Sequence, residues 1–80
     1  MFSIQYNGEF HQTRYLVGDE VKLITGAYVW ITGIFFDRPD SRIFQVFDHY
    51  ATWFVPETAI HCLAFKGKLH EEMESELFGQ

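Results

Sequence analysis

The sequence predicts a small, mainly β domain with a single helix at its C-terminal end. Three observations carry that prediction. Apolar residues alternate with polar ones in short runs separated by Gly, Asn, Asp and Pro, the pattern of half-buried strands. Aromatic residues make up 19% of the 80 positions, with nine Phe, four Tyr and two Trp. After Gly67 the period changes: Leu69, Met73 and Leu77 recur among glutamates at the spacing of one helix face.

A chain of this length buries only roughly 60–65% of its unfolded surface. Each buried ring removes about 150–250 Å² from water, so the aromatic supply can build a core without metal or disulfide staples. The same composition excludes disorder.

The elements follow in order. Phe2, Ile4 and Tyr6 alternate with polar residues, Asn7-Gly8 is a type I′ turn signal, and Phe10 to Tyr15 returns as a partner strand. Gly18-Asp19 makes a turn before a strand carrying Val21 and Leu23, and Thr25-Gly26-Ala27 ends it. Tyr28 to Phe36 is the longest strand, and Gly33 inside it marks a bend or bulge. A polar loop, Asp37 to Ser41, precedes a strand from Ile43 to Phe47. Asp48-His49-Tyr50-Ala51 is a tight connection to Thr52–Val55, Pro56 to Ala59 suits one 3₁₀ turn, and Ile60 to Phe65 is the last strand. The helix runs from Lys68 to Phe78. The organisation expected is one domain: a hairpin over 1–16, a β body over 17–66 and an acidic helix over 67–80.

Composition narrows the function classes. Cys62 is the single cysteine, so no internal disulfide forms and a secreted disulfide scaffold is excluded. The start MFSIQYNGEF has neither a basic n-region nor an apolar h-region, and no apolar run approaches the ~20 residues that cross a bilayer. A soluble protein of a reducing compartment, the cytoplasm, is expected. The net charge of −5 is uneven: residues 69–80 hold Glu71, Glu72, Glu74 and Glu76 and no Lys or Arg, leaving the body at −1. The basic stripe of a nucleic-acid binder is missing, so nucleic acid is not the expected partner.

The order of elements from Gly18-Asp19-Glu20-Val21-Lys22-Leu23-Ile24-Thr25-Gly26 onward resembles an SH3-like barrel of five to six short antiparallel strands. Gly18-Asp19-x-Val21 with Ile31-Thr32-Gly33 is similar to small bacterial YodC-like proteins. The resemblance spans roughly residues 17–63 and implies a scaffold rather than an activity. The type II dihydrofolate reductases have a similar barrel, and Gly18-Asp19-x-Val21, Thr25-Gly26-Ala27 and Pro56 match their pattern. That resemblance would imply a symmetric, nucleotide-binding reductase. The Val-Gln-Ile-Tyr segment on which that family's active pore depends is here Thr52-Trp53-Phe54-Val55, and Leu23 and Ile24 replace its two lysines. The scaffold is similar and the chemistry is not.

No set of residues declares a reaction. His11, His49, His61 and His70 lack the paired spacings of zinc ligands, and His61-Cys62, as strand neighbours, point to opposite faces. They are expected to be surface or half-buried histidines. Cys62 with His49 or His61 is the only nucleophilic set, and Cys62 in an apolar strand is expected to pack as a small hydrophobe. The expectation is a non-enzymatic protein without metal or cofactor.

Aromatic residues supply the candidate site. On the long strand, alternation puts Val29, Ile31, Gly33 and Phe35 on one face and Tyr28, Trp30, Thr32, Ile34 and Phe36 on the other. Both faces are apolar, so one fills the core and the other is covered by the hairpin and helix or serves as a binding patch. Tyr28, Trp30, Tyr50 and Trp53, with Asp48 beside them, are the candidate patch, since such rings can cage methylated amines. Glu72 and Glu76 on the helix are the candidate contacts to a basic protein partner. The predicted function is a protein-binding accessory or inhibitor module of prokaryotic, phage or plasmid origin. The alternatives are the symmetric reductase and a self-associating structural subunit.

Overall fold

The strands expected from the sequence form, and two sheets result. The computed structural model describes residues 1–38 and 41–78, the side chain of Phe78 excepted. Strands β1 (Phe2–Tyr6) and β2 (Glu9–Thr13) make a two-stranded antiparallel hairpin. Asn7 and Gly8 both take positive φ, 51° and 82°, as the Asn-Gly turn requires. Strands β3 (Glu20–Leu23), β4 (Tyr28–Arg38), β5 (Ser41–Phe47), β6 (Thr52–Pro56) and β7 (Ile60–Phe65) form a five-stranded antiparallel sheet in the order β6-β5-β4-β3-β7. A 3₁₀ turn, Glu57–Ala59, links its two edge strands, and α1 (Lys68–Phe78) follows β7. The protein is therefore mainly β with one C-terminal helix. No ladder closes the sheet between β6 and β7 among the described residues. Nor is any described helix long and apolar enough to cross a membrane.

The core gathers on one side of this sheet. Val21, Leu23, Val29, Ile31, Phe44, Val46, Val55 and Ile60 are buried together, and Tyr15, Ile34, Trp53, Ala59 and Leu63 pack against them. Tyr15 meets Phe44 edge-on, with ring centroids 5.8 Å apart, and burial pushes its phenol pKa up.

Strand β4 carries two register shifts against β5, at Thr32 and at Asp37, and the first breaks the alternation expected over Tyr28 to Phe36. Ile31 pairs with Val46, but Gly33, not Thr32, pairs with Gln45. Thr32 is an extra residue, a β-bulge, and its hydroxyl donates to the Gln45 carbonyl at 3.3 Å. Because side chains alternate with a period of two, one inserted residue sends everything after it to the opposite face. Ile34 and Phe36 therefore join Val29 and Ile31 on the inner side, while Gly33 and Phe35 join Trp30 on the outer one. Phe36 is buried and Phe35 is exposed.

Strand β7 carries two such irregularities. Leu23 pairs with Ile60, Lys22 with Cys62, Val21 with Leu63 and Glu20 with Phe65, so His61 and Ala64 are the unpaired extras. The bulge at His61 keeps Ile60 and Leu63 on the core and turns Cys62 outward, opposite Lys22. Cys62 is exposed, contrary to the expectation of a buried thiol.

Candidate functional site

The outer side of the five-stranded sheet carries six aromatic rings. Glu20, Trp30, Phe47 and Thr52 line up across β3 to β6, with Phe65 continuing the row on β7. Tyr28, Lys22 and Cys62 form the row on one side. On the other side lie Gly33, Gln45 and Phe54, then Phe35, Ile43 and Pro56. Phe35 and Phe54 meet edge-on at 5.7 Å, and Tyr6 from the hairpin reaches Phe35 at 6.4 Å.

Gly33 makes this surface close-fitting. A Cβ there would lie 2.9 Å from Gln45 Oε1 and 3.2 Å from the Phe35 ring, so the missing side chain leaves room for both. The Gln45 amide is the polar group at the centre of the aromatic field.

The β5–β6 connection adds a ring over Trp30. His49 adopts φ 82°, a left-handed conformation unusual for a residue other than glycine. Its ring sits 4.5 Å from Trp30 and 5.7 Å from Phe47, edge-on to both. Asp48 holds the turn, its Oδ1 accepting the N–H groups of Ala51 and Tyr50 at 2.9 Å each. Those two hydrogen bonds keep the Asp48 carboxyl below the usual carboxylate range.

The candidate residues are thus distributed rather than gathered. Tyr28 and Trp30 share the outer face, Tyr28 with the Lys22 ammonium 5.8 Å over its ring and Trp30 beneath His49. Tyr50 is 94% exposed at the tip of the turn. Trp53 pairs with Val46 and packs against the core, on the other side of the sheet. Asp48 is occupied by backbone donors. Glu72 and Glu76 are exposed on α1.

A second cluster ties the helix to the sheet, and the sequence pattern missed it. The Asp19 carboxylate is fully buried, and each of its oxygens is engaged. Oδ1 accepts the Gly67 N–H at 2.7 Å; Oδ2 accepts the Leu16 N–H at 3.0 Å and faces His70 Nδ1 at 2.7 Å. His70 is only 4% exposed, so the expectation of surface or half-buried histidines fails there. Its ring lies edge-on to Phe2 at 4.7 Å, and its Nε2 stands 3.5 Å from Glu74 Oε2. Glu74 in turn accepts from Lys66 Nζ at 2.7 Å, a hydrogen bond that holds its carboxyl below the usual range. The backbone approach is equally tight, since a Cβ on Gly67 would meet the Gly18 carbonyl carbon at 2.4 Å.

The helix therefore docks through His70, with Met73 and Glu74 half-buried beside it, while Leu69 and Leu77 remain exposed. His70, Met73 and Glu74 fit helical spacing as well as Leu69, Met73 and Leu77 do; hydrophobicity favoured the second set, and a buried acceptor across the fold selected the first. An open groove of about 520 Å³ separates the hairpin from α1, lined by Phe2, Gln12, Met73, Glu76 and Leu77 among others. Among the described residues, no group of three His, Cys, Asp or Glu side chains gathers as a metal site would require. No family model, curated protein or solved structure matches this chain.

Proposed function

We propose that the chain is a non-enzymatic protein-binding module, an accessory or inhibitor protein of prokaryotic, phage or plasmid origin, built on an SH3-like barrel. The barrel reading is supported by the strand order β6-β5-β4-β3-β7, by the single 3₁₀ turn between the edge strands and by the bulge that bends β4. The observation that carries the function is the outer face, where Phe35, Phe54 and Tyr28 stand exposed around Trp30 and Phe47. Isolated exposed rings are ordinary, but several of them on one sheet face are the composition of an interface centre. The acidic face of α1, with Glu72 and Glu76, suits a partner with a basic surface.

Affinity capture from native lysates at several salt concentrations tests the reading. The wild-type chain retains one specific protein, and Trp30→Ala and Phe35→Ser release it while circular dichroism stays unchanged. Retention of nothing specific, or of the same protein by both variants, overturns it.

A further inference from the structure

The two edges of the five-stranded sheet are guarded very differently. An edge strand offers unpaired N–H and C=O groups, and proteins protect it with bulges, charges or proline. Strand β7 has two bulges, at His61 and Ala64, which interrupt its row of backbone groups. Strand β6 pairs with β5 over all five residues without a shift, Thr52-Trp53-Phe54-Val55 carries no charge, and its one guard is Pro56 at the C-terminal end.

The phase of β6 follows from its turn. Asp48 N–H donates to the Ala51 carbonyl, so 48 and 51 are a hydrogen-bonded pair. In an antiparallel ladder such pairs alternate, which directs the backbone groups of Trp53 and Val55 to β5 and those of Thr52, Phe54 and Pro56 away from it. The missing N–H of Pro56 falls on the outward side, where proline belongs in an edge strand. Among the described residues, no backbone group reaches the outward N–H or C=O of Thr52 or Phe54. Thr52, Phe54 and Pro56 are also exposed in their side chains.

We propose that β6 is a self-association edge, which pairs antiparallel with β6 of a second copy across a two-fold axis through the middle of the strand. A second copy is the occupant because the segment is self-complementary. Antiparallel pairing about a two-fold at Phe54 sets the Phe54 N–H of each copy against the Phe54 C=O of the other and each Thr52 N–H against the Pro56 C=O. Only the Thr52 C=O opposite Pro56 is left without a donor, and the absence of charge means that no like charges oppose. The pairing would join the two outer faces into one, with Phe54 of each copy near the axis. It does not depend on the docking role assigned to Trp30 and Phe35.

Amide exchange read residue by residue, with sedimentation across micromolar to millimolar concentrations, tests the pairing. Mass rises from monomer to dimer with concentration, and the Thr52 and Phe54 amides become protected over the same range, while Trp53 and Val55 are protected throughout. Phe54→Pro removes an outward N–H that β5 does not use, and Thr52→Lys adds an edge charge; each weakens association at least about tenfold. A chain that stays monomeric overturns the proposal, as does a dimer in which the Thr52 and Phe54 amides still exchange freely. The exchange measurement on the unaltered chain decides the matter even if Phe54→Pro fails to fold.

Discussion

The hairpin and the helix both lie outside the five-stranded sheet, yet they are attached by opposite chemistry. The hairpin is held by rings: His11 stacks on Phe36 with centroids 4.3 Å apart, Tyr6 meets Phe36 at 5.5 Å, and Arg42 Nε donates to the Gln12 carbonyl. The helix is held by a buried carboxylate and the histidine and backbone groups around it. Ring contacts tolerate small displacements, because dispersion and area change gradually with position. A buried charge does not, since every lost partner leaves an unsatisfied group in a low dielectric. One attachment is broad and forgiving, the other narrow and exacting.

The sharpest way to break that contrast is at Asp19. Asp19→Ala leaves the Leu16 and Gly67 amides and the His70 ring without their acceptor in a buried site. A loss of about 3–5 kcal/mol in urea unfolding is expected, with α1 amides losing protection before those of β4 and β5. A uniform loss across the chain would mean that Asp19 supports the sheet rather than the helix. Next in size is Phe36→Ala, expected to cost about 3 kcal/mol through its transfer and cavity terms. Its effect should concentrate in β1 and β2, read from their amide signals, and leave the α1 signals in place.

The smallest effect concerns acid. Lys66 holds the Glu74 carboxyl below its ordinary range in the folded chain. A group whose folded pKa is depressed contributes stability above its unfolded value and loses it as pH falls through the folded one. Acidification through and below the ordinary carboxylate range, ~4, should therefore loosen α1 around Glu74 before it disturbs the hairpin. Chemical shifts of Met73 and Phe36 followed together would show the order, and Lys66→Met should weaken the step at Met73 and move it toward the ordinary carboxylate range.

Much of the fold was legible because each local signal agreed with its neighbours. Asn7-Gly8, the break at Thr25-Gly26, the 3₁₀ turn after Pro56 and the helix after Gly67 all have short-range causes. The faces of β4 were not legible in full. Gly33 signalled a bulge, but alternation alone cannot say which residue is inserted, and Thr32 reassigns the side chains from Gly33 to Phe36. Trp53 and Cys62 exchanged expected roles for a related reason: which side of an edge strand faces the core depends on its register against a partner far along the chain. His70 escaped because a histidine becomes a core residue only where a distant acceptor, here Asp19, is already buried to receive it.

The tie between Asp19 and the Gly67–His70 segment has a temporal meaning. It joins residues 48 and 51 positions apart, so it cannot form until the intervening strands have brought the ends together. Eleven residues are too few for a stable helix alone in water, and most of the α1 stripe is exposed. The helix therefore has no structure to contribute early, and its docking follows the pairing of β7 with β3. Protection of the α1 amides therefore reports on whether β3 and β7 have met.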